Sequence, residues 1–437
     1  MAPAPVDRAR LGAAVAAAMG ELGIPGVALG VLEAESSWTW CGGVTSLADP
    51  QPVTEETIFQ IGSISKTFVA TAAMVLIDQG RLDLDEPVRS YLPELRLSTE
   101  ELTAAVTMRH LLTHTSGWVG DYFGDTGDGD DALGAFVAKL AKAPQLTPPG
   151  RTYSYNNTGF NLAAHVVARI AGTSYERAVK DLVLRPLGMR RTFYTAEEAI
   201  TRRVAVGHRQ GRVQPWRRSR AYNGAGGVLS CVSDLLLYAA FHSGEGSPLM
   251  SRASLRRMQE ETRPAGSLCD EVGLGWMVDR IAGRRVLHHG GTTNGYMADL
   301  RLVPELGLAW VLLTNSHHEH QLDRVVLAGL LGSTGDQADF SPGDLSEFAG
   351  RYQAVLAELE VTVVEAGLRL SVSTPARALW DPNEEAPPPQ STALRFRDRD
   401  RVVALDMPYT GHRGEFVRDE EGRVAWFRWD GRIAGRR

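Results

Sequence analysis

Cysteine is scarce in this chain, which excludes two classes of small domain that depend on it. Only Cys41, Cys231 and Cys269 occur among the 437 residues. Three cysteines cannot form a closed disulfide framework, and their spacing matches no zinc-binding motif. Hydrophobic residues make up 43% of the chain and charged residues 22%, close to the globular average, which excludes wholesale disorder. We therefore expect a well-cored protein of two or three domains.

Long apolar runs and an excess of basic charge are also missing. No apolar run reaches the roughly 18 residues that a membrane span requires. With 46 Lys and Arg against 52 Asp and Glu, the net charge is −6, so no global basic surface favours nucleic acid. An Ala-rich stretch at residues 11–19 reads as an ordinary helix, with a signal peptide as the alternative. We expect a cytoplasmic protein whose partners include neither membrane nor nucleic acid.

Secondary-structure patterns predict how the first three-quarters of the chain fold. Strand patterns at residues 27–32 and 38–41 come first, residues 58–241 are mostly helical, and strand patterns return between residues 276 and 314. A helical pattern at residues 321–331 follows. This order predicts one antiparallel sheet built from both ends of a domain and flanked by helices, with an all-helical region between.

The C-terminal part has a different pattern. Residues 332–343 are rich in Gly, Ser, Thr and Asp, which is typical of a linker. Short strand patterns then replace the helices, and they predict a small antiparallel barrel or sandwich. They lie at residues 359–364, 368–372, 393–396, 402–407, 414–417 and 424–429. We therefore expect two domains, residues 1–335 and residues 345–437.

The most informative motif is the pair Ser63 and Lys66, which precedes an apolar helical pattern at residues 68–79. Residues three apart on a helix share one face and can contact each other. A nucleophilic serine needs a proton acceptor, and a lysine serves only where burial and neighbouring cations lower its pKa. The apolar surroundings of Lys66 favour such a site. The alternative is a chance pair with an exposed lysine.

A second motif is Tyr-x-Asn, formed by Tyr155 and Asn157 after a Pro-Pro-Gly sequence. A tyrosine near two cationic groups can exist partly as phenolate and shuttle a proton. The alternative is a turn with an aromatic packing anchor. Tyr153 is the less informative neighbour, because no asparagine follows it two residues later.

A third motif, His289-Gly290-Gly291-Thr292, ends one strand pattern and precedes another near Met297. Glycines at a strand edge let a substrate backbone approach and pair with it, and His289 can donate a hydrogen bond or a proton. The alternative is a Gly-Gly hairpin turn. The Gly-x-Ser-x-Gly elbow of the other large serine-hydrolase class is absent from the sequence, which removes that route to a nucleophile.

Together the three motifs resemble the serine β-lactamase and penicillin-binding-protein superfamily, in order and approximate spacing, over about residues 10–335. Secondary marks at residues 23–26, 110–117, 186–189 and 226–230 are similar to its class C branch, which includes D-stereospecific peptidases, esterases and acyltransferases. The resemblance implies an α/β fold: a β-lactamase/transpeptidase-like domain, followed by a C-terminal domain that weakly resembles lipocalin-like domains attached to many members.

The resemblance also implies acyl transfer through a serine ester, without metal or cofactor, on a small-molecule or short-peptide acyl substrate. Ser63 would attack a carbonyl, Lys66 and Tyr155 would move the proton, and the backbone N–H groups of Ser63 and Thr292 would hold the oxyanion. Asn157 would orient the substrate or Lys66. The implied catalytic residues are Ser63, Lys66, Tyr155 and His289, and the implied substrate-binding residues are Asn157, Gly290, Gly291 and Thr292.

One departure from the family pattern bears on the substrate. His289 stands where β-lactamases commonly have a lysine, and a neutral imidazole binds a substrate carboxylate less well than an ammonium group. This favours a hydrolase of amides or esters, of the D-peptidase or esterase type, over a β-lactamase. Two alternatives remain open. One is a transacylase, thioesterase or peptide cyclase that passes the acyl group to an amine, and the other is a β-lactam-binding sensor or scaffold.

Two polar clusters lie outside these motifs. Residues 120–131 are rich in aspartate but do not fit an EF-hand. We interpret them as a mobile loop or a substrate lid carrying Trp118, Tyr122 and Phe123, with acidic surface residues as the alternative. Residues 316–320, Ser-His-His-Glu-His, lack the His-Glu-x-x-His spacing of a zinc site, and we expect a polar loop near the mouth of the cleft.

Overall fold

The computed structural model describes most of the chain. The described residues are 6–34, 36–122, 124–216, 218–244, 249–317, 320–332, 340–365, 367–375 and 386–437. Phe123, His318, Glu319 and most of the predicted linker lie outside them. In these ranges the helices are α1 (Arg8–Glu21), α2 (Ser65–Asp78), α3 (Glu100–Ala105), α4 (Met108–Leu112), α5 (Ala132–Ala138), α6 (Asn157–Ala171), α7 (Tyr175–Val179), α8 (Ala196–Ala199), α9 (Asn223–Gly226), α10 (Val232–Ser243), α11 (Arg252–Glu260) and α12 (Gln321–Leu331).

The strands fall into two groups, one on each side of the predicted linker. Before it lie β1 (Gly26–Glu33), β2 (Ser36–Gly43), β3 (Phe59–Gln60), β4 (His208–Arg209), β5 (Arg212–Val213), β6 (Leu229–Ser230), β7 (Arg263–Pro264), β8 (Glu271–Val272), β9 (Met277–Ile281), β10 (Arg284–Thr293), β11 (Tyr296–Val303) and β12 (Leu308–Thr314). After it lie β13 (Gly350–Gln353), β14 (Glu358–Val364), β15 (Gly367–Ser373), β16 (Gln390–Phe396), β17 (Arg401–Ala404), β18 (Arg413–Arg418), β19 (Val424–Trp429) and β20 (Arg432–Arg436).

The first group contains an antiparallel sheet in the order β2-β1-β12-β11-β10-β9-β8-β7. Strands from the two ends of the domain meet where β1 pairs with β12, so the predicted sheet built from both ends is confirmed. The apolar run of β12 is buried along its whole length because both faces of the sheet are covered. Trp310 and Leu312 pack with α1 and α12, whereas Val311 and Leu313 belong to the core beneath the helical region.

The helical region is organised around α2. Its side chains are buried on nearly every side, as expected of a helix that is apolar all round, and it packs against α6, α9 and α11. The pairing of β3 with β6 places the start of α2 beside residues 228–230, where the N–H of Ile61 donates to the carbonyl of Val228 at 3.2 Å. No helix in the described ranges is both long and apolar enough to cross a bilayer.

The second group closes into a barrel in the order β13 to β20, which β13 completes by pairing with β20. The predicted small β domain is thus an antiparallel barrel. The prediction missed β13 and β20, because β13 is short and the two buried apolar residues of β20, Ile433 and Ala434, stand between arginines. The barrel interior is filled by aromatic and aliphatic side chains, including Phe416, Phe427 and Trp429.

The barrel docks directly beside the loop that precedes α6. Arg413 donates to Asp270 and Asp279 on the first domain at 2.8 and 2.9 Å. Arg428 Nε donates to the carbonyl of Tyr153 at 3.0 Å. The N–H of Tyr155 donates to the carbonyl of Gly431 at 2.8 Å. The β19–β20 hairpin therefore lies against the Tyr-x-Asn motif.

Candidate active site

Ser63 and Lys66 lie at the start of α2. Ser63 belongs to the 3-10 turn Gly62–Ile64, which leads directly into the helix. The Nζ atom of Lys66 lies 3.1 Å from the Oγ atom of Ser63 and donates to the carbonyl oxygen of Ala225 at 2.7 Å. That carbonyl is positioned by Asn161 on α6, whose Oδ1 accepts from the N–H of Ala225 at 2.9 Å. The lysine head group therefore has a defined place beside the serine hydroxyl.

The Lys66 side chain is fully buried, with 0% of its surface exposed. Burial is the main cause that lowers its pKa well below the ordinary value, and the positive charges of Arg432 and Arg218 lower it further, while Asp121 opposes them. Desolvation disfavours the ammonium form, as does a neighbouring like charge. The site thus favours a neutral amine with a free lone pair beside Ser63.

Tyr155 lies beside both the lysine and the serine. Its ring stacks on His114 with centroids 4.5 Å apart, and Lys66 Nζ lies 4.8 Å from its ring centroid. Burial raises the pKa of Tyr155, although a hydrogen bond with the Ser63 side chain acts in the opposite direction. The phenol therefore keeps its proton in the resting site, whereas the sequence analysis considered a partial phenolate.

The two asparagines that follow Tyr155 have different surroundings. Asn156 caps α6, since its Oδ1 accepts from the N–H of Gly159 at 2.7 Å, as asparagine commonly does at a helix start. Asn157 lines the cavity, and its Nδ2 donates to Asp121 Oδ1 at 2.6 Å. Asn157 is therefore placed at the cavity surface, and its two expected roles, orienting the substrate or Lys66, stay predictions.

The motif His289-Gly290-Gly291-Thr292 forms the second half of β10. Pairing of β10 with β9 ends at His288, so among the described strands this half keeps β11 as its one neighbour. The edge it presents lies against the Ser63 turn. A Cβ on Gly291 would overlap the backbone carbonyl of Ile61, and glycine is therefore required for this close approach.

The N–H of Thr292 points to the same edge. The hairpin β10–β11 has a two-residue loop, so Thr293 and Tyr296 form the hydrogen-bonded pair, and Thr292 and Met297 form the next, non-hydrogen-bonded pair. Consistently, the carbonyl of Met297 is directed to β12, where it accepts from Thr314 Oγ1 at 3.3 Å. The polar backbone groups of Thr292 thus face away from β11, toward the serine.

His289 is a buried neutral imidazole. Burial is the main cause that lowers its pKa to about 3, and Lys66 contributes. Its Nδ1–H donates to the carbonyl of Gly290 at 2.7 Å, so the other ring nitrogen carries a lone pair in this tautomer. His289 therefore presents a hydrogen-bond acceptor, whereas a donor was expected from the sequence.

Sequence reasoning missed an ion pair that completes the site. Asp121 is 4% exposed, and its Oδ2 accepts from Arg432 Nε at 2.5 Å. Arg432 comes from β20 of the barrel, and its guanidinium carbon lies 5.0 Å from the ring centroid of Tyr155. The sequence shows that residues 120–131 are rich in aspartate, but no local pattern indicates that one of them meets an arginine of the C-terminal domain.

A cavity of about 750 Å³ joins these groups. The first domain contributes the Ser63 turn, the Tyr-x-Asn motif and the open half of β10. The barrel contributes the opposite wall, which includes Leu356, Gln390, Pro408, Tyr409, His412 and Arg432. The eight residues predicted from the sequence lie around this cavity, since seven of them line it and Lys66 lies directly behind Ser63.

The two polar clusters have separate outcomes. Trp118 is only 1% exposed and belongs to the main core, and Asp121 is held by Arg432. The interpretation of residues 120–131 as a mobile loop or lid stays a prediction. Phe123 lies outside the described residues. His317 and His320 line the cavity, which agrees with a polar loop near its mouth, while His318 and Glu319 lie outside the described residues.

The chain is similar to known proteins over most of its length. The family model described as Beta-lactamase matches residues 11–331. Penicillin-binding protein 4 of Amycolatopsis lactamdurans is 32% identical over 358 residues, which are 76% of this chain and 93% of that protein. Unguisins hydrolase ungD of Aspergillus violaceofuscus is 25% identical over 380 residues, 77% of this chain and 66% of that protein.

A solved structure matches over both domains. The crystal structure of SurE has a TM-score of 0.79 and 26% identity, and the match covers 98% of this chain and 99% of SurE. A second crystal structure of the same protein, with D-Leu, gives a TM-score of 0.78. The likeness therefore includes the barrel as well as the sheet and helices.

Proposed function

The chain belongs to the Beta-lactamase family, and from that membership we propose that it cleaves amide or ester bonds through an acyl-enzyme on Ser63. The observation that carries the proposal is the 3.1 Å approach of a buried Lys66 amine to the Ser63 hydroxyl. A serine is a weak nucleophile until a base removes its proton, and a lysine becomes that base when desolvation keeps it neutral.

In the proposed acylation step, Ser63 Oγ attacks the substrate carbonyl carbon while Lys66 accepts the hydroxyl proton. The carbonyl oxygen becomes an oxyanion, which the N–H groups of Ser63 and Thr292 stabilise; such donors typically contribute about 100- to 1,000-fold in rate. The protonated phenol of Tyr155 gives its proton to the leaving group as the scissile bond breaks, and it regains a proton from Lys66. Its raised pKa keeps this proton on the phenol before the step begins.

Deacylation reverses these proton movements with water as the nucleophile. Water loses a proton to the Tyr155 and Lys66 pair, attacks the ester carbon, and releases the acid as Ser63 regains its proton. Asn157 and the open edge of β10 contact the substrate in this scheme, because both line the cavity. His289 contributes a hydrogen-bond acceptor beside the lysine.

An amine in place of water is the second candidate. The likeness to SurE, one of whose crystal structures is with the amino acid D-Leu, covers 98% of this chain and so includes the barrel wall of the cavity. This observation supports a transacylase or peptide cyclase. Incubation with an activated peptidyl ester and an amine, followed by the ratio of amide to acid in mass spectra, separates the two candidates.

The test of the proposal is the substitution Ser63→Ala. We expect kcat/KM for p-nitrophenyl butyrate to fall by about 1,000-fold or more, and labelling by a fluorophosphonate probe to disappear. The matched control is Ser267→Ala, a serine that lines the same cavity. That variant keeps both turnover and labelling. A Ser63→Ala protein that is still labelled contradicts the assignment, and a burst without turnover in the wild type favours the sensor alternative.

A further inference from the structure

Unlike Arg432, the cavity residue Arg218 has no carboxylate partner among the described residues. Arg218 lines the cavity, and its Nη1 donates to the carbonyl of Gly226. Within the described ranges, no ion pair or hydrogen bond joins it to an acidic side chain. Its accessible surface is intermediate because it borders the cavity, whereas protein encloses it elsewhere, and this burial lowers its pKa to about 10.

The other four arginines that line the cavity are either paired with aspartate or exposed to solvent. Arg432 is paired with Asp121, Arg301 with Asp299 at 2.6 Å, and Arg413 with Asp270 and Asp279. Arg324 is exposed at the rim and donates to the carbonyl of Thr410 at 3.2 Å. Arg218 is therefore a partly buried guanidinium of this cavity for which the described residues supply no negative charge.

Burying a charge without a partner is costly, and proteins rarely keep such a group without a use. The cavity lining carries five arginines against three aspartates, although the chain as a whole has a net charge of −6. An excess of one sign in a cleft attracts ligands of the opposite sign. Both observations point to an anionic group on the ligand.

Arg218 also lies close to the reacting serine. Lys66 Nζ is bonded to the carbonyl of Ala225, and Arg218 is bonded to the next carbonyl along α9, that of Gly226. A substrate lying between α9 and the open half of β10 therefore brings a substituent to the guanidinium. His289 does not compete for a carboxylate, because its imidazole is neutral in this site.

We propose that Arg218 binds a carboxylate carried by the acyl part of the substrate, so that this enzyme prefers anionic acyl groups. The proposal rests on the function proposed above and adds the substrate class. A planar guanidinium matches a carboxylate with two parallel hydrogen bonds, which a lysine cannot reproduce. The acyl group would then be held at two points, the ester carbon at Ser63 and the carboxylate at Arg218.

The test compares two esters that differ in one charge. Mono-4-nitrophenyl adipate carries a terminal carboxylate, and the 4-nitrophenyl ester of adipic acid monoamide carries a neutral amide of similar shape. We expect the wild type to favour the acid over the amide by about 10- to 100-fold in kcat/KM at pH 7. In Arg218→Gln that ratio falls to about one, and in Arg218→Lys it is intermediate.

Arg324→Gln is the matched control, since it removes a cavity arginine at the rim. We expect its ratio to stay within about twofold of the wild type, because a solvated charge acts weakly at a distance. Equal losses in Arg324→Gln and Arg218→Gln would mean a general charge effect and would overturn the site. A wild-type ratio near one overturns it as well.

The outcomes for the two proposals are distinguishable. If both esters are hydrolysed by the Ser63→Ala protein, the acyl-enzyme proposal fails. If turnover requires Ser63 but kcat/KM is the same for the acid and the amide, only the proposed substrate class is wrong. Should Arg218→Gln not fold, two measurements decide: the ratio in Arg218→Lys, and the thermal shift that adipate produces in Ser63→Ala with and without Arg218→Lys. We expect the lysine variant to show a smaller shift, and equal shifts contradict the proposal.

Discussion

The guanidinium carbon of Arg432 lies 5.0 Å from the ring centroid of Tyr155, although 277 positions separate the two residues in the chain. Arg432 stands on the last barrel strand, and Tyr155 on the loop before α6. A cation over an aromatic face is attractive, and Asp121 holds the guanidinium in place. The barrel thus contributes a positive charge to the candidate active site of the first domain.

A pH profile tests this electrostatic role. Only the neutral amine of Lys66 accepts a proton, so kcat/KM falls as the pH drops through the pKa of that group. Arg432 lowers this pKa and Asp121 raises it. In Arg432→Gln the acidic limb should therefore move to higher pH, and in Asp121→Asn to lower pH, each by about one unit or less, which is the scale of one partly buried charge.

The comparison is informative because the two variants are expected to shift the acidic limb in opposite directions. Loss of packing at the domain interface would impair both variants in the same way and would leave the limb where it was. A shift in the same direction for both variants contradicts the electrostatic role. The measurement is kcat/KM for the neutral 4-nitrophenyl ester between pH 5 and pH 10, with thermal unfolding as the check on folding.

Stability should depend on Lys66 in a pH-dependent way. Its pKa is lower in the folded protein than in the unfolded chain, so between the two values the unfolded state binds more protons, and the stability of the wild type rises with pH. Methionine does not titrate. The difference in Tm between Lys66→Met and the wild type should therefore become more favourable to the variant as the pH falls from about 10.5 toward neutrality.

Lys142→Met is the control for that series. Lys142 is exposed, so its surroundings change little on unfolding, and its Tm difference should be flat with pH. A flat difference for Lys66→Met as well would mean that the buried amine is not neutral in the folded protein. Circular dichroism melts at five pH values suffice for the comparison.

The sequence was sufficient to find the three motifs that meet at the cavity, but not the residues that the barrel adds to it. Ser63 and Lys66 are one helical turn apart, and the histidine motif lies on one strand, so local periodicity was enough to place each motif on its element. The relation between Asp121 and Arg432 spans 311 positions. It depends on how the barrel docks, through contacts such as Arg428 with the Tyr153 carbonyl, and such contacts leave no periodic pattern.

The strand that carries Arg432 was also missed for a physical reason. Strand patterns are recognised by alternating apolar residues, whereas β20 reads Arg-Ile-Ala-Gly-Arg. Closure of the barrel supplies its pairing partners on both sides, β13 and β19, so tertiary structure makes a strand of a segment with a weak pattern. The partly buried Arg218 was missed for a related reason, because a charged residue is ordinarily expected at the surface.

The hairpin between β19 and β20 offers a sharp test of barrel docking. Gly431 has φ +79°, and a Cβ there would lie 3.2 Å from the Cβ of Tyr155. Gly422, in the turn before β19, has φ +80° and open space around it. Alanine at either position carries the same backbone strain, about 1 kcal/mol, so both variants should lose a few degrees of Tm.

Of the two variants, only Gly431→Ala adds a methyl group next to the candidate active site. The added methyl must displace Tyr155 or lift the hairpin that carries Arg432, and either movement disturbs the proton path between the phenol, Lys66 and Ser63. We expect kcat to fall by about tenfold or more, since small displacements of catalytic groups cost that much, while Gly422→Ala keeps its kcat. Equal kcat values for the two variants would contradict a role of barrel docking in catalysis. They would likewise contradict a role of Arg432 in the active site.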